Sequence, residues 1–283
     1  MDRAKIVACL TWALAAGCAR PARIMVGSKN FTEQVLLGEI AAQQIERRLG
    51  VPVERRLNLG GTMLAHEAVA RGDIDLYPEY TGTALTAVLK EPAVRDRAAA
   101  LLAVRAGYRE RWRLEWLSPL GFDDTFAMMV RRGVGVASLS QAAARQAWRL
   151  GMGYEFEQRP DGLPGLLKTY GLRLAGAPVT MDLGLLYAAL DGGKVDMIAA
   201  NSTDGLASAL DVRILEDDRH YFPPYQCALV VRQQTLGRYP RLRAALEELA
   251  GRIPDAVMRR LNYAVDGKHQ PAAEVAADFL RGW

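Results

Sequence analysis

Two stretches of the chain repeat one pattern, and that repeat constrains the fold more than any other feature. Residues 72–83 read Gly-Asp-Ile-Asp-Leu-Tyr-Pro-Glu-Tyr-Thr-Gly-Thr, and residues 193–205 read Gly-Lys-Val-Asp-Met-Ile-Ala-Ala-Asn-Ser-Thr-Asp-Gly. Each begins with a glycine suited to the left-handed turn that ends a helix. Each continues as an apolar–Asp–apolar strand and then a polar loop containing threonine. Aligned this way, Tyr80 falls on Asn201. The repeat predicts two similar lobes, each offering this loop to one cleft.

The surrounding pattern alternates strands and helices. Residues 23–27 read as an apolar strand, followed by a loop into a helix whose apolar face is Val35, Leu36, Ile40 and Ile45. Gly50 and Pro52 end that helix. A strand follows over 51–59, a helix over 63–71, and a strand over 74–77 that Pro78 should end. Helices are expected over 83–89 and 93–111. The second lobe opens with a strand over 122–130, then a helix over 140–149, a strand over 151–156, a loop to Gly162 and a helix over 163–170. This repeats the opening unit, so Arg159 takes the place that Lys29 has in the first lobe. The chain crosses back near 217–226, and helices over 239–249, 254–265 and 271–280 should pack on the first lobe. The alternation indicates an α/β fold with mostly parallel sheets. The reading divides the chain into a leader (1–18), the first lobe (22–120), the second lobe (121–222) and the remainder of the first (223–283). Two lobes with two hinge crossings make a clamp, with ligand expected outside the carboxyl ends of the strands.

With 283 residues, half of them hydrophobic and 24% charged, the chain can bury a full core. Its net charge of +4 comes from scattered arginines without a basic helix or aromatic platform, so nucleic acid is not an expected partner. Residues 1–5 are basic and 6–16 are apolar but too short to span a bilayer, as in a signal segment. Leu14-Ala15-Ala16-Gly17-Cys18 looks like a lipoprotein cleavage box, with Ala15 where a larger aliphatic is usual. Cys18 is the expected lipidation site, giving an exported, periplasmic or cell-surface protein held by a lipid anchor. Cys227 has no partner for a structural disulfide once Cys9 and Cys18 are set aside. His66, His220 and His269 lack metal-ligand spacing, and no nucleophile elbow, phosphate loop or dinucleotide fingerprint is present. No enzyme activity, cofactor or metal is therefore expected.

Five ordered motifs carry a resemblance. They are Gly-Ser-Lys-Asn-Phe-Thr-Glu-Gln at 27–34, Tyr-Pro-Glu-Tyr-Thr-Gly-Thr at 77–83, Gly-Phe-Asp-Asp-Thr-Phe at 121–126, Arg-Pro-Asp-Gly at 159–162 and Phe-Pro-Pro-Tyr at 222–225. Together, from about Ile24 onward, the chain resembles the glycine betaine/choline-binding proteins of bacterial and archaeal osmoprotectant ABC importers. The resemblance implies an α/β, two-lobed, type II periplasmic-binding-protein fold. It also implies a monomer that captures a quaternary ammonium compound and delivers it to an ABC permease with its ATPase. By motif position the ammonium cage is Tyr80, Phe126, Asn201 and Tyr225, with Asp124 on its edge. The polar end is Lys29, Thr83 and Arg159. A quaternary ammonium cannot donate a hydrogen bond, so aromatic faces hold it by their quadrupole.

Phe126 keeps a π-face where the family has tyrosine. Asn201 removes an aromatic wall worth roughly 1–2 kcal/mol, or about tenfold in affinity. Tyr77 and Tyr221 are the nearby aromatics that could fill it, although each reads first as a packing residue. The alternative is the same fold holding another small zwitterion or amine, with Asn201 bonding a group that betaine lacks. A third reading, an enzyme on a two-lobe scaffold, has no nucleophile–base arrangement to support it. Glu79 reads as a residue that ties Tyr80 down, and Asp204-Gly205 as a turn.

Overall fold

The computed structural model describes residues 23–145 and 147–282, and the expected signal segment with Cys18 lies outside them. The first apolar run forms β1 (Ile24–Gly27), followed by β2 (Val53–Arg56), β3 (Leu76–Tyr80) and β4 (Leu114–Trp116). The chain then builds β5 (Phe126–Arg131), β6 (Leu150–Met152), β7 (Val179–Thr180), β8 (Met197–Asn201) and β9 (Val212–Ile214). It returns as β10 (Cys227–Arg232). Two five-stranded sheets result, ordered β2-β1-β3-β10-β4 and β7-β6-β8-β5-β9. The sheets share one topology, and the two repeated stretches supply the central strands, β3 and β8. Tyr80 and Asn201 are the last residues of those strands.

The sheets are mixed, whereas the strand–helix alternation predicts mostly parallel ones. β1 runs parallel to β2 and β3, and β6 runs parallel to β7 and β8. β10 and β5 run antiparallel to the central strands. The reason lies in the crossings. Each of these strands starts at the cleft, with Cys227 opposite Tyr80 and Phe126 opposite Asn201, so it must run back along the strand that ends there. The two crossings lie side by side: Asp123 bridges Gln226, and the Asp124 N–H donates to the Tyr225 carbonyl at 3.2 Å.

Three local expectations give way for identifiable reasons. Pro78 sits inside β3 rather than ending it. The Tyr80 N–H is turned away from β10 and bonds the Glu79 carboxylate instead, so by the two-residue period the Pro78 nitrogen faces the same way. On that side pairing with β1 is confined to Leu76, so no ladder bond is lost at Pro78. The helix expected over 140–149 covers only Leu139–Ala143. The buried Trp148 folds back and its indole N–H donates to the Ala142 carbonyl at 3.0 Å, joining the Arg145 N–H on that acceptor at the helix end. Beyond Gly153 the chain turns into the short helix Tyr154–Gln158 instead of continuing β6, because its one buried apolar residue, Phe156, serves a helical turn equally well.

The first core forms on the helix Thr32–Leu49, which buries Leu36, Leu37, Ile40 and Ile45. Helices Leu242–Glu247, Asp255–Asp266 and Ala272–Arg281 close over the same cluster with Leu246, Met258, Val275 and Leu280. The second sheet has cores on both faces, around Trp148 and Leu166 on one and Leu186 and Ile198 on the other. Leu36 is fully buried and Leu102 is 65% exposed. Leu36→Ala should therefore cost about 2–5 kcal/mol and lower the thermal midpoint by several degrees, while Leu102→Ala should leave it within about 1 °C. Thermal denaturation of the two variants checks this.

Candidate ligand-binding site

The carboxyl ends of β1, β3 and β8 and the two crossings enclose a cavity of about 870 Å³. All eight residues singled out from the sequence line it: Lys29, Tyr80, Thr83, Asp124, Phe126, Arg159, Asn201 and Tyr225. Lys29 lies just beyond β1, while the helix Tyr154–Gln158 intervenes between β6 and Arg159.

Both basic residues are already neutralised by the protein. The Lys29 ammonium contacts Glu79 at 2.6 Å, with both side chains buried, and lies 5.2 Å from the Tyr80 ring centroid. Glu79 also accepts the Tyr80 N–H at 2.7 Å and the Tyr77 hydroxyl at 3.2 Å, so it anchors the site without facing the cavity. Arg159 makes a two-pronged contact with Asp161, at 2.9 and 2.5 Å, and donates to the Thr83 hydroxyl at 2.9 Å. Burial works against the Arg159 charge, but the Asp161 hydrogen bonds outweigh it and hold the guanidinium above its ordinary pKa. Asp161 accepts the Tyr225 hydroxyl at 2.5 Å and the Thr86 hydroxyl at 2.9 Å.

Arg159 does not stand apart from the aromatic residues. Its guanidinium lies 5.0 Å from the Phe126 centroid and 5.6 Å from that of Tyr225. The aromatic lining includes two groups, Phe126 with Phe156 and Tyr225 at the hinge, and Tyr80 with Phe31, stacked at 6.4 Å and 21°, while Tyr154 and Tyr187 also line the cavity. Neither Tyr77 nor Tyr221 lines the cavity. The Tyr221 hydroxyl lies 2.9 Å from the Gly162 carbonyl oxygen and 3.1 Å from that of Pro160, and donating to either fastens the Arg159 loop.

A wall of carboxylates completes the site. Glu33 accepts the Tyr80 hydroxyl at 2.7 Å, the Thr203 hydroxyl at 2.6 Å and the Asn262 amide at 2.9 Å. The same Thr203 hydroxyl lies 2.7 Å from Asp124. Asp204 accepts the Asn201 N–H at 3.2 Å and the Tyr187 hydroxyl at 3.0 Å. Burial raises the pKa of Glu33 despite these donors. Asp124 is pushed well up by burial and then by the charges of Glu33 and Asp204, and Asp204 is pushed up to about 7, chiefly by burial. Sequence reasoning missed Glu33, Asp204, Asn262 and Phe31 as site residues. Glu33 reads as an acid favoured in the first turn of a helix, Asp204 as a turn residue, and Asn262 gives no local signal.

His66 stays a packing residue. Its ring sits edge-on to Trp112 at 4.3 Å, and burial followed by the Lys29 charge lowers its pKa to about 4. Among the described residues no group of His, Cys, Asp or Glu is placed to hold a metal ion.

Two α/β lobes closing on a lined cavity define a solute-binding protein with the type II periplasmic fold. The chain belongs to the OpuAC family, the substrate binding domain of the ABC-type glycine betaine transport system, which it matches over residues 22–282. This is a family of extracytoplasmic binding proteins rather than enzymes, in agreement with the reading from the five motifs. The chain is 35% identical over 282 residues to a glycine-betaine-binding protein of Pseudomonas aeruginosa, covering 94% of this chain and 90% of that one. It is 31% identical over 281 residues to the ergothioneine transport permease/ergothioneine binding protein EgtU of Helicobacter pylori, covering 97% of this chain and 50% of that longer relative. A crystal structure of a glycine betaine/carnitine/choline ABC transporter superposes with a TM-score of 0.78 at 31% identity, covering 92% of this chain and 98% of that one.

The raised pKa of Asp204 makes a stability prediction. The folded state holds its proton up to about 7, against an ordinary value of 3.8. Its contribution is thus present at low pH and lost as pH rises from about 4 to about 7. Asp204→Asn should match the parent protein near pH 4 and melt at a higher temperature near pH 7.5. Parallel melting curves across that range would contradict the assignment.

Proposed function

We propose that this chain captures a small quaternary ammonium compound by lobe closure and delivers it to an ABC permease driven by its ATPase. The moving bodies in this reading are residues 22–120 with 223–283, and residues 121–222. The observation that carries it is the pairing of aromatic faces with carboxylates that have no basic partner. Tyr80, Phe126 and Tyr225 supply faces for the cation, Asp124 lies at the edge, and Asn201 stands where a further wall is expected. Lys29, Thr83 and Arg159 form the end that takes a ligand carboxylate, with Arg159 exchanging its bond to Thr83 for one to the ligand. We further propose that the mature protein is a monomer anchored outside the inner membrane by lipid on Cys18.

One observation favours a second ligand class within the same fold. Asn201 is 9% exposed and lines the cavity, and its side chain makes no hydrogen bond among the described residues. A zwitterion or amine with an additional polar group would satisfy it.

A thermal-shift panel of glycine betaine, proline betaine, choline, carnitine and ergothioneine separates these readings. A ligand present at 100 times its Kd should stabilise the protein by about 2.7 kcal/mol, or about 5 °C or more. In calorimetry with the ligand so found, Tyr80→Ala and Arg159→Ala should each weaken binding at least about tenfold. Normal affinity in both variants, or no response to any compound at millimolar concentration, would overturn the proposal.

A further inference from the structure

We propose that Glu33 and Asp124, bridged by Thr203, are the counter-charge that recognises the ligand's cation, and that they hold a proton which the cation expels on binding. This inference rests on the quaternary-ammonium reading above and names residues and a linkage that it lacks.

The geometry at Thr203 requires a proton. Its hydroxyl oxygen lies 2.6 Å from Glu33 Oε2 and 2.7 Å from Asp124 Oδ1. A hydroxyl carries one hydrogen and can donate to one carboxylate. The second short contact is attractive only if that carboxyl is protonated and donates to the hydroxyl oxygen. Glu33 comes from the helix Thr32–Leu49 of the first lobe, and Asp124 and Thr203 come from the crossing and the loop after β8. The bridged pair therefore spans the cleft.

The surrounding charges leave the pair uncompensated. Asp204 faces it from the loop after β8, and Asp266, at the end of the helix Asp255–Asp266, acts in turn on Asp204 and accepts the Thr32 hydroxyl. The Tyr80 and Tyr187 hydroxyls and the Cys227 thiol are the other titratable groups against the cluster. Lys29 is engaged by Glu79, Arg259 donates to the Ser202 carbonyl, and His269 acts on Asp266. Among the described residues no lysine or arginine forms an ion pair with Glu33, Asp124 or Asp204.

A second observation points to what approaches. Asn262 is 1% exposed and lines the cavity beside Glu33. Its amide nitrogen donates to Glu33 and to the Thr203 carbonyl, but its oxygen receives no donor. The wall around Glu33 is thus rich in buried acceptor oxygens and short of positive charge, so its field, not a hydrogen bond, favours a cation. No metal-binding group is placed there, whereas the Tyr80–Phe31 stack beside Glu33 suits a bulky organic cation. When such a cation settles against the pair, the carboxylic acid becomes carboxylate and its proton passes to solvent, while the ligand is chemically unchanged.

Titration calorimetry of choline and of glycine betaine near pH 6, in phosphate and in MES, two buffers that titrate there with different ionisation enthalpies, tests this. The observed enthalpy should depend on the buffer's ionisation enthalpy, corresponding to release of up to one proton. Affinity should rise with pH, by up to about tenfold per pH unit over the range in which the free pair holds its proton. Glu33→Gln should abolish the buffer dependence and weaken choline at least about tenfold, while Thr203→Val should flatten the pH profile. Should Glu33→Gln fail to fold, the buffer dependence of the unsubstituted protein decides alone. Tight binding with no proton release and a flat pH profile would overturn this inference and leave the quaternary-ammonium reading standing. No binding of either compound, or of any other quaternary ammonium compound, would overturn both.

Discussion

Charge neutralisation at the cleft decides what this cavity can hold. Burying an ionised group without a partner is expensive, so each charge there must find a counter-charge in the protein or in a ligand. Lys29 has Glu79 and Arg159 has Asp161, both at hydrogen-bonding distance and nearly dry. Glu33, Asp124 and Asp204 receive hydroxyl and amide hydrogen bonds but no cation. The imbalance that remains is negative, and it lies beside aromatic rings. That combination selects for a diffuse positive charge and against a simple anion.

The duplicated topology is what brings these groups together. In each sheet the central strand ends at the cleft, and the strand entering from the other lobe begins opposite that end. The last residues of β3 and β8, Tyr80 and Asn201, therefore face the same cavity, and the crossings add Asp124 and Tyr225 between them. Gly205 lets the second lobe come close: a Cβ there would meet the Tyr263 backbone nitrogen at 2.2 Å. Lobe contact, the bridge through Thr203 and the Asn262 hydrogen bonds all fall along this one line.

Much of this was legible in the sequence because the repeat has a structural cause. Asp75 accepts the Met25 N–H at 2.8 Å and Asp196 pairs with Arg149 at 2.6 Å, so in both copies the aspartate ties the central strand to its neighbour. Most of the residues found by motif position sit at or just beyond strand ends, which local pattern reveals, whereas Arg159 follows the helix Tyr154–Gln158. Strand direction was not legible, because it depends on where the crossings enter. Nor was the persistence of β3 through Pro78, which turns on which edge lacks a ladder partner. Glu33 and Asn262 escaped notice because each is an ordinary residue in its own helix, and the pair meets only when helices distant in sequence pack together.

The central claim is that the cavity holds an organic cation. Native mass spectrometry of the protein purified without denaturation, followed by release and identification of the retained small molecule, tests it most directly. The account predicts a compound carrying a quaternary ammonium group. A retained ligand with no positive charge, such as a simple carboxylate, sulfonate or phosphonate, would contradict it.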